Sequence, residues 1–267
     1  RWCAAAKRKH RSLFLKTDHL PQSRQARLAL VGITKHGVQQ LTAIAPHLPD
    51  AQILVSDKFA AQVQEFSERS TVYSGALRDQ MADLFASYDQ IIFFVSLGAV
   101  VRLIAPLLRS KDEDPGVIVV DDAGQFVIPV LSGHVGGANA WAEHLAHLMG
   151  AQAVLTTASD VGKTIPVDIL GRELGWEVIA PKIHITRVSA DVVNGELIAV
   201  VQEAGSPHWW TRTTPLPDNI HLFSQLNAVD LDKYRSVLWI TRQDIPGQIW
   251  ETLRDRLVVY RPPEGQV

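Results

Sequence analysis

Apolar positions along this chain fall into two kinds of block. From residue 28 onward, short apolar runs are followed by a polar or glycine-rich turn, then by stretches with apolar residues three and four apart. That alternation is the pattern of strands feeding helices. It predicts strands at 28–31, 52–55, 71–73, 91–95, 117–120 and 126–130, with a last one at 153–156. Helices are expected through residue 45 and over 77–88, 97–108 and 137–149. The run Ile91-Ile-Phe-Phe-Val95 is apolar throughout, as a strand covered on both faces must be, and so is expected at the centre of a mainly parallel sheet. The turn Asp122-Ala-Gly124 between two strand-like runs predicts one antiparallel hairpin just before Ser132.

The second half has a different texture. Helices are expected near 165–174 and 186–194, and strands near 197–201, 220–223, 237–240 and 258–260. Between them, residues 205–218 hold three prolines and Trp209-Trp210, which reads as a loop with an aromatic anchor. The fold class expected is α/β: a doubly wound, mainly parallel sheet with a second, smaller α/β domain. The divisions expected are a basic flanking segment over 1–27, an N-terminal domain over 28–162 and a smaller domain over 163–267, with a ligand cleft between the two domains.

Composition adds limits. Of the 267 residues, 46% are hydrophobic and 20% charged, enough apolar material for a buried core. The net charge of −2 supplies no global positive field for nucleic acid or acidic lipid. Apolar runs are strand-sized, so no membrane span is expected. The single cysteine, Cys3, leaves no intramolecular disulfide and no cysteine metal cluster, which suits a reducing, cytoplasmic setting. Arg1, Lys7, Arg8, Lys9 and Arg11 form a basic opening that reads as a solvated flank, with a transit segment or a nucleic-acid arm as the alternatives. A chain starting at Arg1 is expected to be a fragment or part of a fusion.

In a doubly wound sheet ligands lie beyond the carboxyl ends of the strands, and three loops carry polar residues there. Gly98 and Arg102 follow 91–95. Ser132-Gly-His-Val-Gly-Gly-Ala-Asn139 follows 126–130. Thr156-Thr-Ala-Ser-Asp160 follows the last strand. The three are expected to converge. In the second loop, His134 between glycines is either an acid, base or hydrogen-bond donor, or part of a tight packing turn. The stretch 157–164 ends like a phosphate-binding loop, but Thr157 stands where the first glycine belongs and Pro166 interrupts the helix, so it reads as a connector with a lysine. His144 and His147, beside Glu143, are expected to face outward as surface residues. Asp112, Glu113, Asp114, Asp121 and Asp122 read as solvated turn acids.

Taken together, the strings Gly98-Ala-Val-Val-Arg-Leu-Ile-Ala-Pro-Leu-Leu108, Lys111-Asp-Glu-Asp-Pro115, 117–124, Leu131-Ser-Gly-His-Val-Gly-Gly-Ala-Asn139 and Thr156-Thr-Ala-Ser-Asp160 resemble, in order and spacing, the CbiG family of anaerobic cobalamin biosynthesis. The remainder, to Val259-Tyr-Arg-Pro262, is similar to that family's middle domain. The resemblance implies a cobalt-precorrin-5A hydrolase, which opens the ring-A δ-lactone of a corrinoid and releases acetaldehyde to give cobalt-precorrin-5B. The alternative is a corrinoid-binding module that lacks full activity without the family's C-terminal domain or a fused corrin methyltransferase. Cobalt then belongs to the substrate, and no protein-held metal or cofactor is expected. The implied partners are the corrinoid and a corrin-ring methyltransferase, fused or separate.

For that chemistry the candidate proton carriers are His134 and Asp160. Amides at Gly136 and Gly137 are expected to hold an oxyanion or a substrate acetate, and Arg102 or Lys111 to pair with peripheral carboxylates. Gly98, Asp114, Ser132, Gly133, Asn139, Thr156 and Thr157 complete the expected binding set. His134, if unperturbed, is expected to titrate near neutrality, and to matter for turnover more than for folding.

Overall fold

The computed structural model describes residues 26–265. The basic cluster from Arg1 to Arg11 and Cys3 therefore lie outside the described residues. Two sheets carry the fold, the first of seven strands and the second of five.

In the first sheet, β1 (Leu28–Gly32), α1 (Lys35–Ile44), β2 (Gln52–Ser56), β3 (Ser70–Tyr73), α2 (Met81–Ser87), β4 (Gln90–Phe94), α3 (Leu97–Ile104) and β5 (Gly116–Val120) form a parallel, doubly wound unit. Next come β6 (Phe126–Leu131), α4 (Ala138–Met149), the two-residue β7 (Gln152–Ala153) and α5 (Ala158–Val161). The strand order is β3-β2-β1-β4-β5-β6-β7, so the all-apolar β4 takes the middle. Ile91, Ile92, Phe93 and Phe94 are fully buried there, alternating between the cores on the two faces. Each such side chain contributes about 1.5–3 kcal/mol of burial.

The hairpin reverses the chain. β6 runs antiparallel to β5, and β7 runs parallel to β6. The carboxyl ends of β6 and β7 therefore sit at the edge where β1, β4 and β5 begin. This corrects the expected convergence of three loops: Gly98 and Arg102, at the carboxyl end of β4, lie at the opposite end of the sheet from Ser132 and Asp160.

The second sheet contains β8 (Glu177–Ile179), β9 (Ile198–Gln202), β10 (Ile220–Phe223), β11 (Ser236–Ile240) and β12 (Leu257–Arg261), with α6 (Lys182–Val193) and α7 (Gly247–Leu253). Its order is β10-β9-β11-β12-β8, parallel except for β8. It has its own apolar clusters on both faces.

The helix expected near 165–174 does not form. Residues 165–171 are irregular backbone and turns, and only Arg172–Leu174 makes a 3-10 turn. Pro166 offers no amide to a helix. Gly171 turns left-handed at φ +72, where an added Cβ would lie 2.0 Å from the Trp176 ring. Ile165, Val167 and Leu170 still reach the second core, and the Tyr260 hydroxyl donates to the Val167 carbonyl at 2.7 Å. The apolar spacing came from a buried irregular segment, not from a helix face. Residues 205–218 do form a loop, with Trp209 buried and its indole N–H donating to Gln202 at 2.9 Å.

Candidate active site

The loop from Ser132 to Asn139 is held by its own backbone. The amides of Gly137, Ala138 and Asn139 donate to the carbonyls of His134, Ser132 and Gly133 at 3.0, 3.2 and 3.0 Å. The Gly137 amide is thereby spent, which removes it from the oxyanion donors expected there. Left-handed backbone falls at Ser132 (φ 54) and Gly137 (φ 84). Gly136 has no positive φ; it is needed for close approach, since a Cβ there would lie 2.3 Å from the Ser132 Cβ and 2.6 Å from its carbonyl oxygen. Gly133 likewise faces the Asn139 side chain, 2.5 Å from a would-be Cβ. The Ser132 hydroxyl donates to the Asp114 carbonyl at 2.9 Å, and Gln90 donates to the Gly136 carbonyl.

This packing presents His134 to two carboxylates. Its Nε2 lies 3.3 Å from Asp160 Oδ2, and its Nδ1 lies 3.4 Å from Asp168 Oδ1. The Ser159 hydroxyl, on the buried side, is 3.0 Å from the same Nε2. Asp160 is saturated: Asn139 donates to it at 2.7 Å, Thr157 donates to it, and Arg212 Nη2 reaches its other oxygen at 2.9 Å. Arg212 also donates to the Ser159 carbonyl at 3.3 Å. Arg172 donates to the carbonyls of His134 and Val135.

The electrostatic consequence is specific. The bond to Asp160, then the bond to Asp168, raise His134 to about 9, against partial burial. Burial alone would raise Asp160, but the bonds from His134, Thr157 and Arg212 outweigh it and hold the carboxyl well below the usual range. At neutral pH the pair is an imidazolium and a carboxylate. This corrects the expectation that His134 titrates near neutrality: the resting ring is a proton donor, and it becomes a base only after giving its proton away.

The pair opens onto a cleft of about 650 Å³ that also meets Glu143, Lys163, Arg172, Trp209 and Arg212. Desolvation first, and the Asp160 charge second, push Glu143 up from the carboxylate range. Beyond the loop lies an adjoining cleft of about 920 Å³, whose walls include Gln90, Asp114, Gly136, Trp141 and His144. Gly137 and Arg172 border both. His144 is thus not simply outward: it stacks edge-on against Trp141 at 5.8 Å and is lowered by burial and by His147. His147 is exposed.

Of the expected site residues, the structure brings together Ser132, Gly133, His134, Gly136, Gly137, Asn139, Thr157 and Asp160, with Asp114 beneath Ser132. Thr156 and Lys111 are exposed and line neither cleft. Gly98 and Arg102 bond to each other, Arg102 Nη1 donating to the Gly98 carbonyl at 3.1 Å, at the far edge. Asp168, Ser159, Arg172 and Arg212 were not legible as site residues, because three of the four lie in or beyond the segment misread as a helix. Among the described residues no group of three or more His, Cys, Asp or Glu is placed to hold a metal ion. No helix among them is long and apolar enough to cross a membrane.

A two-sheet α/β fold thus carries a histidine–carboxylate pair in a cleft that also holds Lys163, Arg172 and Arg212. Comparison places the chain among known proteins. The family model for the cobalamin synthesis G N-terminal region matches residues 79–160, and that for the cobalamin biosynthesis central region matches residues 165–262. The cobalt-precorrin-5A hydrolase of Priestia megaterium is 41% identical over 242 residues, covering 91% of this chain and 64% of that protein. The cobalt-precorrin-5A hydrolase of Salmonella typhimurium is 34% identical over 183 residues, covering 68% and 48%. The chain belongs to the CbiG family, of which it carries the N-terminal and central regions. It spans less than two thirds of the length of either relative.

Proposed function

We propose that this chain carries out cobalt-precorrin-5A hydrolysis, opening the ring-A δ-lactone and releasing acetaldehyde to give cobalt-precorrin-5B. The observation that carries the reading is the imidazole of His134, fixed between Asp160 and Asp168 at the wall of a cleft with arginines at its rim. The two clefts that meet at Gly137 and Arg172 give the width a macrocycle needs, and Arg172 and Lys163 are the cations available to its carboxylates.

In this reading water adds to the lactone carbonyl and gives up one proton to solvent, which returns one to the macrocycle at the end, and Arg172 stabilises the oxyanion of the tetrahedral adduct. The adduct collapses with cleavage of the acyl carbon–oxygen bond. His134 gives its proton to the departing alkoxide, leaving a ring-A carboxylic acid and a secondary alcohol. The neutral imidazole then takes the alcohol proton as the adjacent carbon–carbon bond breaks. Acetaldehyde leaves, and the electron pair remaining on the macrocycle takes up a proton. Water supplies the atoms added, and His134 returns to its starting charge. Cobalt arrives with the substrate, and no protein-held cofactor is part of the reading. Supply by a corrin-ring methyltransferase, fused or separate, and a cytoplasmic setting belong to the same proposal.

The test is acetaldehyde release from the lactone substrate by the wild-type chain and by His134→Gln. Loss of about 10²-fold or more in the variant, with the substrate still bound, is expected for a missing general acid. Equal turnover by both proteins removes His134 from the mechanism. Binding without acetaldehyde release by the wild type would select the corrinoid-binding reading instead.

A further inference from the structure

In the hydrolysis reading one proton lacks a carrier on the protein: attacking water sheds it, and the macrocycle takes one back. Asp160, though it lines the cleft, is unsuited to carry it. Its oxygens already accept from Asn139, Thr157 and Arg212, and one of them faces His134 Nε2 at 3.3 Å. A proton on Asp160 would displace one of these donors.

Glu143 is the carboxylate left open, and helix α4 decides where it points. That helix buries Ala138, Ala142, Leu145 and Ala146 in the core on one face of the first sheet. Its two remaining flanks separate the clefts. Trp141 and His144 border the adjoining cleft, whereas Asn139, Ala140 and Glu143 border the His134 cleft. Asn139 and Glu143 are four residues apart, so their side chains are neighbours on that flank. From there Asn139 reaches Asp160 at 2.7 Å. Glu143, one turn on, is exposed, and among the described residues it accepts no hydrogen bond and makes no ion pair.

A free carboxylate in the cleft complements a histidine that already carries its proton, because one can take a proton while the other gives one. The surroundings favour that division. Desolvation and then the Asp160 charge raise the proton affinity of Glu143, with Arg212 opposing them, and a carboxylate raised in this way is the stronger base toward water.

We infer that Glu143 is the general base of lactone opening and the carrier of the proton that water sheds. The inference rests on the hydrolysis reading and replaces solvent in it with a named group. The Glu143 carboxylate takes a proton from water as the water oxygen bonds to the lactone carbonyl carbon, and becomes a neutral acid. His134 protonates the departing alkoxide and later takes the alcohol proton as the carbon–carbon bond breaks. The electron pair left on the macrocycle then takes the proton held by Glu143. Both side chains end in the charge state in which they began, and only water is consumed.

The test is acetaldehyde release by the wild type, Glu143→Gln, Glu143→Ala and Glu173→Gln, with loss of the lactone followed in a single turnover. Glu173 is the other exposed glutamate of the lining and serves as the comparison. Glu143→Gln keeps the length and helix preference of the side chain. It should lose about 10²-fold in kcat, the scale of a missing general base, with KM little changed and the loss visible in lactone opening itself. Glu173→Gln should turn over like the wild type. Glu143→Ala should regain rate in proportion to added formate, a small carboxylate that can take the vacated place; a side chain needed only for packing gives no such response. If the wild type is active and Glu143→Gln matches it, the proposal is overturned while the hydrolysis reading stands. A loss confined to Glu173→Gln, or a Glu143→Ala defect that formate does not relieve, overturns it in the same way. A wild type that releases no acetaldehyde removes the hydrolysis reading and this base with it.

Discussion

His134 Nδ1 lies 3.4 Å from Asp168 Oδ1, and this contact joins the loop after β6 of the first sheet to the segment that leads into the second. With Arg212 on Asp160 and Arg172 on the His134 carbonyl, residues of the central region complete the surroundings of a histidine that belongs to the N-terminal region. Proton affinity at His134 thus depends on how the two regions meet.

Both carboxylates carry that dependence. The bond to Asp160 and then that to Asp168 raise His134, while the charge of Asp168 acts more strongly than that of Asp160, so both Asp160→Asn and Asp168→Asn should lower the pH at which the ring titrates. The His134 ring protons, followed by NMR from pH 5 to about 10, a range that brackets free and carboxylate-paired histidine, read this directly. An unshifted midpoint in both variants would dissolve the link between the regions.

The same pair sets a pH dependence of stability. His134 is raised from its ordinary 6.5 to about 9 in the folded chain, so its bonds stabilise fully below pH 6.5, and that contribution is lost as pH rises through about 9. Asp160 is depressed, so its contribution holds above the ordinary carboxylate range and fails only in strong acid. Urea unfolding of the wild type should show stability falling between pH 6.5 and 9 relative to His134→Gln. Parallel curves across that window would contradict the assignment. The variant should also be less stable at neutral pH, by about 1–3 kcal/mol, because two partly buried carboxylates lose a donor. The expectation that His134 serves turnover with little effect on folding is revised on this ground.

Much of the first sheet was legible because its signals are local. An apolar run such as Ile91 to Val95 can only be a strand buried on both faces, and Asp122-Ala-Gly124 can only turn. What local pattern hid was direction. Reading the hairpin correctly did not reveal that it carries the His134 loop to the edge away from Gly98. Asp168 was hidden by a second ambiguity: Ile165, Val167 and Leu170 are buried, and burial without a proper period looks helical when Pro166 and Gly171 are discounted. Arg212 sits in a loop whose sequence announces the tryptophans that anchor it, and nothing local says where its guanidinium points. The left-handed Ser132 is likewise invisible, since serine carries no signal for positive φ.

Two glycines separate close packing from ligand approach. Gly136→Ala would drive a methyl into the Ser132 backbone, costing about 1–3 kcal/mol as overpacking does, and should displace His134 with it. Gly98→Ala meets only the Arg102 Nη1 at 3.6 Å, an ordinary contact, inside helix α3. It should stabilise by up to about 1 kcal/mol, as alanine does over glycine in a helix. Thermal unfolding of the two variants checks both signs; a destabilised Gly98→Ala would restore a special role for that position.

The sharpest separation is between two arginines that sequence alone ranks in the wrong order. Arg102 has the stronger local case, one turn into a helix after the central strand, yet it lies at the opposite edge and spends its guanidinium on the Gly98 carbonyl. Arg212 has no local case, yet one of its nitrogens holds both Asp160 and the Ser159 carbonyl. Arg102→Ala should therefore leave acetaldehyde release and the His134 titration as in wild type. Arg212→Ala frees the Asp160 carboxylate to shift, and misplacing a group that orients the proton donor costs on the order of 10²-fold in turnover. Arg212→Lys should recover only part of that, because an ammonium can occupy the position without reproducing the planar fork. The loss should fall on kcat more than on KM if Arg212 acts through Asp160, and on KM if it binds the substrate directly. Normal turnover in Arg212→Ala alongside a defect in Arg102→Ala would move the active site to the other edge of the sheet.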